Sequence, residues 1–174
     1  MITLEPPRSV ADEADPWQKL GLSASGLARF LNRARAAAGI KGEVYVLLAD
    51  DATLKRLNKT FRGKNKATDV LSFPAWDASV GDSCVPAGNG SGVAGDLAIS
   101  LETAARQAAR FGHSLRDEVR VLLLHGTLHL AGFDHEADRG EMAAREAELR
   151  RELRVETSLI ARVSGPVARK RGRA

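Results

Sequence analysis

The chain has 174 residues, 44% hydrophobic and 28% charged, with a formal net charge of +4, enough length for one domain with a real apolar core. Its single cysteine, Cys84, excludes an internal disulfide and fits a reducing compartment. The opening "MITLEPPRSVADEADPW" is too acidic and proline-rich for a secretory leader, and "VRVLLLHGTLHLAG" is too short and punctuated to span a bilayer, so a cytoplasmic protein without a membrane partner is expected.

In chain order, "TLEPP" offers at most a short first strand. "SASGLARFLNRARAAAG" then carries Leu27, Phe30, Leu31 and Ala34 at helical spacing, with Gly39 as the stop. "EVYVLLA" (43–49) reads as a buried strand, after which Asp50 or Asp51 caps a helix with Leu54, Leu57 and Phe61 on one face. The basic turn "RGKNKATD" leads into the strand "VLSFPA", ended by Pro74. Residues 76–94 are turn-formers and predict a long flexible loop. "GDLAIS" is a further strand, and "LETAARQAARFG" a helix closing at Gly112. Ser114 with Asp117 starts a largely buried helix that stops at Gly132. "EADRGEMAAREAELRREL" is a charged amphipathic helix. The fold class that follows is α/β (α+β): one domain over 1–158 with a small mixed sheet packed by helices. Residues 159–174 are expected to be a basic, disordered tail. Arg162, Arg169, Lys170, Arg171 and Arg173 lie there, and without them 21 basic residues balance 22 acidic ones, so the body is nearly neutral.

Within that body the charge is uneven. Lys55, Arg56, Lys59, Arg62, Lys64 and Lys66 gather around one turn, either as an ordinary solvated surface or as a rim that attracts phosphate.

The densest chemical signal is "HGTLHLAGFDH", which holds three of the four histidines in residues 125–135. His125 and His129 stand four apart on a helix, so their rings share a face, with Cβ atoms about 5–6 Å apart. Gly132 permits a positive φ, and the bend brings His135 round as a third ligand. Three protein ligands with an open position make a catalytic rather than a structural metal site, placed at the end of the buried helix. Zinc, one ion per chain, is the default for imidazoles, although nickel, copper and iron accept the same donors. The remaining histidine, His113, is expected to be a surface or capping residue. The bland alternative, histidines hydrogen-bonded in a core, accounts for a pair at this spacing but poorly for the third beyond a glycine.

The spacing H-x-x-x-H-x-x-G-x-x-H is that of the metzincin proteases, in which a glutamate follows the first histidine as general base. Here that position is Gly126, which cannot serve. A protease is therefore disfavoured. A bound cation can still bring the pKa of water to about 7, and arginine or lysine can steady a phosphate.

These segments together resemble the YbeY family, bacterial rRNA maturation factors described as metal-dependent endoribonucleases. "LNKTFRGKNKATDVLSFP" is similar to that family's arginine turn and T-[DN]-V-L-S-F-P strand, and "GDLAIS" to its G-D-I-x-I-S strand. "HGTLHLAGFDH" matches H-G-x-L-H-L-x-G-[YF]-D-H, glycine included, and Met142 and Glu146 fit an M-x-x-x-E on the next helix. The resemblance spans about residues 43–154. It implies one α/β domain with a mixed sheet, zinc on His125, His129 and His135, and Arg62 at the scissile phosphate. Lys64 and Lys66 would join Arg62 in holding substrate. That substrate would be single-stranded RNA, with 16S rRNA 3′-end processing and ribosome quality control as the setting, and the small ribosomal subunit or its proteins as partners. Asp134 would either orient an imidazole or cap the turn, and Asp96 would serve the family strand or make a structural hydrogen bond. The alternatives are a zinc-containing ribosome-assembly factor that binds RNA without cleaving it and, more remotely, a metalloprotease. This chain departs from the family at 76–94 and in its basic tail.

Overall fold

A computed structural model describes residues 4–5, 16–75 and 92–156 of the chain. The elements in order are β1 (Leu4–Glu5), α1 (Pro16–Lys19), α2 (Ala24–Ala37), β2 (Glu43–Ala49), α3 (Asp51–Arg62), β3 (Val70–Pro74), β4 (Val93–Ser100), α4 (Leu101–Phe111), α5 (Leu115–Leu130) and α6 (Glu141–Leu153). One mixed sheet runs β1-β2-β4-β3. β1 and β4 lie parallel to β2, and β3 is antiparallel to β4. The predicted α/β class with a small mixed sheet is the observed one.

Strand alternation divides the apolar residues between two layers. Val44, Val46, Leu48, Leu97 and Ile99 face α2 and α5 and form the main core, which also takes in Met142, Leu149 and Leu153 of α6. Ala49, Leu71 and Ala98 point the other way and meet Leu54 of α3. Helices α3 and α5 therefore cover opposite faces of the sheet. Every side chain of α5 from Val121 to Leu128 is buried. Its Leu122, Leu123, Leu124 and Leu128 are at most 1% exposed, and each contributes about 2 kcal/mol by leaving water. Tertiary packing, more than propensity, holds this helix in place.

Side chains fix the helix starts. Asp50 accepts from the Thr53 N–H at 2.8 Å, Ser100 from Thr103 at 3.1 Å and Ser114 from Asp117 at 3.1 Å. Each such cap is worth about 1 kcal/mol.

Two boundaries and one element differ from expectation. β4 begins at Val93 because Glu43 pairs with that residue across β2, ahead of a register shift. α6 begins at Glu141 and not at Glu136: Asp138 accepts from the N–H groups of Gly140 (2.8 Å) and Met142 (2.7 Å), and Gly140 has φ +106°, so the preceding residues form turns. α1 carries no periodic signal and was not anticipated. Residues 76–91 of the predicted loop, Cys84 and the basic tail lie outside the described residues.

Candidate metal centre

The end of α5 sets the site. The Phe133 N–H donates to the Leu128 carbonyl and the Gly132 N–H to that of His129, with Gly132 at φ +94°. This is the paired 6→1 and 5→2 bonding of a Schellman motif, which needs a left-handed residue where glycine stands. Asp134 then accepts from the Glu136 N–H at 3.0 Å through its side chain, while its carbonyl accepts from Ala137 and Asp138. Between the two readings left open for Asp134, the observed hydrogen bonds are those of a turn cap.

That turn returns His135 to the face of α5 that bears His125 and His129. Their ring centroids are 4.7, 5.1 and 5.4 Å apart. One ligand nitrogen from each falls within 4.8 Å of the other two. The Nε2 atoms of His125 and His129 face each other at 3.1 Å. Two nitrogens sharing a tetrahedral ion at about 2.1 Å would stand about 3.4 Å apart, so the pair is spaced for a single cation. His135 also keeps a buried Nδ1 with no hydrogen-bond partner. The residues present fit a metal ion.

Electrostatics keep the donors ready. Burial pushes the His129 imidazole down to about 4, with repulsion from His125 and His135 adding to it; a backbone hydrogen bond at Phe133 and the Asp134 charge oppose the shift only in part. At neutral pH the ring is uncharged, the form that ligates.

Glu146 is the residue that sequence reasoning left without a role. It lies on α6, is 3% exposed, and places Oε2 3.5 Å from His125 Nδ1. A carboxylate behind a ligating imidazole holds the proton on Nδ1 and turns Nε2 toward the metal. The M-x-x-x-E spacing marked the residue, since Met142 and Glu146 share the buried face of α6. Glu146→Gln is expected to weaken zinc affinity about 10–100-fold in a chelator competition. Unchanged affinity would remove Glu146 from the site.

Gly126 is explained by packing. A Cβ there would lie 2.7 Å from Leu97 Cδ2 and 3.3 Å from Ser72 Oγ, so α5 rests on the sheet at this point. The position that carries the base in metzincins points here into the sheet.

The basic residues are placed differently. Arg62, Lys64 and Lys66 are all exposed, at the end of α3 and in the turn beyond it, with Asn58 Nδ2 donating to the Lys66 carbonyl at 2.7 Å. The α3 and α5 helices reach the same end of edge strand β3 from opposite faces. Phe61 packs on Phe73 with centroids 5.1 Å apart, while the neighbouring Ser72 donates to the Gly126 carbonyl at 3.4 Å. Among the described residues no hydrogen bond or ion pair joins Arg62 to the histidine cluster. Asp96 is exposed on the α3 face, where it helps line an apolar cavity of about 570 Å³ with Tyr45, Leu57, Phe61 and Phe73. His113 closes α4, its backbone N–H donating to the Ala108 carbonyl at 3.1 Å, while its half-buried ring sets Nε2 2.5 Å from the fully buried Glu118.

With this geometry in place, comparison with known proteins is decisive. The family model described as "Endoribonuclease YbeY" matches residues 18–154. The chain belongs to the YbeY family. An Endoribonuclease YbeY of Koribacter versatilis is 50% identical over 146 residues, 84% of this chain and 88% of that protein. One from Nautilia profundicola is 48% identical over 120 residues, 69% of this chain and 78% of that protein. A solution structure of a Thermotoga maritima protein shares the fold, with TM-score 0.53 and 24% identity over 88% of this chain and 89% of its own. Among the described residues no helix is long and apolar enough to cross a membrane. The YbeY family assignment thus covers the imidazole cluster, Glu146 and the basic turn alike.

Proposed function

We propose that this chain is a zinc-dependent endoribonuclease that cleaves single-stranded RNA, with precursor 16S rRNA 3′ ends as its substrate. On that reading it works in the cytoplasm with the small ribosomal subunit, in rRNA maturation and quality control. The observation that carries the reading is the convergence of His125, His129 and His135 in a chain whose family is named for endoribonuclease activity. A divalent ion held there supplies electrophilic charge at the scissile phosphate and acidifies a water.

The other tasks fall to the chain itself. Glu146 keeps His125 in one tautomer and orientation. The Asp134 turn and the Gly132 bend hold His135 in register. Arg62, Lys64 and Lys66 contact the backbone of an RNA that crosses the end of β3, and Arg62 steadies charge on the nonbridging oxygens. With Gly126 turned into the sheet, the protease mechanism lacks its base at that position.

The test is a chelator cycle. Purified protein is expected to cleave a single-stranded rRNA fragment, to lose cleavage on metal removal while still binding the RNA, and to regain it with zinc. A metal-loaded protein that binds RNA but never cleaves it would overturn the enzymatic reading and favour the assembly factor.

A further inference from the structure

A second cationic surface lies away from the imidazoles. The first turns of α2, the start of α5 and the end of α6 enclose a hollow of about 250 Å³ lined by Gly26, Arg29, Phe30, Arg33, Arg120 and Leu153, with no carboxylate in its lining among the described residues. Arg120 also lines a neighbouring hollow of about 180 Å³, with His113, Asp117, Arg154, Val155 and Glu156. The two hollows share Arg120, whose guanidinium stacks over the Phe30 ring at 5.5 Å and keeps a buried Nε without a partner.

The acids nearby are largely engaged. Asp117 lies 3.5 Å from Arg116 and 3.6 Å from Arg120, and Glu118 is held by His113. Glu156 is the other carboxylate at the rim, and its backbone carbonyl accepts from Arg150. Arg29, Arg33, Arg116 and Arg154 are exposed. The sequence that follows Glu156 adds Arg162, Arg169, Lys170, Arg171 and Arg173 and no acid.

Beside the second hollow, Phe111 is 41% exposed. The Arg110 guanidinium stands 5.5 Å from its centroid, and the His113 ring lies nearly parallel to it, 10° off and 6.4 Å away. Clustered guanidinium groups supply the positive charge that the phosphates of a nucleic-acid strand need. Arg120 and His129 are nine residues apart on α5, about 14 Å along the axis and half a turn around it. The surface is separate from the metal centre.

We propose that this shelf is a second RNA-binding surface, gripping the phosphodiester backbone of substrate at a distance from the bond that is cut. The proposal rests on the ribonuclease reading and extends it: long RNA is held at two places, short RNA at one.

The test compares wild type with Arg29→Gln/Arg33→Gln/Arg154→Gln on a short single-stranded RNA and on one long enough to reach both surfaces. Preference for the long RNA, as a ratio of kcat/KM values, is expected to fall about tenfold. The slope of log Kd against log salt for long RNA should flatten by about 2, since each phosphate contact on a single strand contributes about 0.7. The Arg→Lys triple variant should keep the wild-type slope, because it retains the charge, and this separates loss of contact from loss of fold. A Gln variant with wild-type preference and slope, as a site for an acidic protein would give, overturns the shelf while leaving the nuclease intact. A Lys variant that fails as the Gln variant does also overturns it. Wild type that cleaves neither RNA refutes the ribonuclease reading itself.

Discussion

Replacing His129 with alanine is expected to abolish stoichiometric zinc retention and to lower RNA cleavage by about 10³-fold, a loss of about 4 kcal/mol of transition-state stabilisation. The reason is geometric. His125 Nε2 and His129 Nε2 stand 3.1 Å apart, and without His129 two imidazoles alone leave the ion with too few protein ligands. The fold should survive, because His129 is half-buried whereas its neighbours Leu128 and Leu130 carry the packing. Metal analysis, cleavage rates and melting of the metal-free proteins check the three parts together. His129→Ala protein that keeps both its zinc and its activity would show that the three-imidazole cluster is not the reactive centre.

Gly126→Glu, the change that would restore the protease pattern, is expected to destabilise the protein by about 4 kcal/mol or more and to confer no peptide hydrolysis. A Cβ alone would press on Leu97 Cδ2 at 2.7 Å, and the carboxylate beyond it would enter a layer where α5 meets β3 and β4. Burying an unpaired charge costs several kcal/mol, against a total stability of about 5–15 kcal/mol for ordinary domains. Gly126→Ala should be milder, about 2 kcal/mol, because the Leu97 methyl groups can rotate aside. Urea unfolding of the two variants reads the difference. Wild-type stability in the glutamate variant, with casein cleavage that a chelator stops, would mean that this position faces the metal after all.

The histidine cluster was legible because its geometry is local. His125 and His129 are placed by the period of a single helix, and His135 by a glycine that must adopt φ +94° a few residues on. The same holds for Asp50, Ser100 and Ser114, whose capping bonds reach only three residues along the chain. The start of α6 was misplaced for a related reason. The residues after His135 have helical composition, but Asp138 and Gly140 spend them on turns, a competition that periodicity does not register.

What needed the tertiary structure depends on elements distant in sequence. Glu146 reaches His125 only because α6 packs beside α5, and nothing in the spacing of the two residues indicates that contact. Gly126 has its explanation in Leu97 and Ser72, which come from two different strands. The alternation of β4, with Leu97 inward to α5 and Ala98 outward to α3, set α3 and α5 on opposite faces of the sheet. The arginines of α2, α5 and α6 likewise form one shelf only after those helices pack. The sequence by itself determined the donor atoms and the bend that gathers them, since one helix period and one φ angle suffice. The tertiary structure alone decided what stands behind and around them, because strand parity and helix packing are properties of the whole chain.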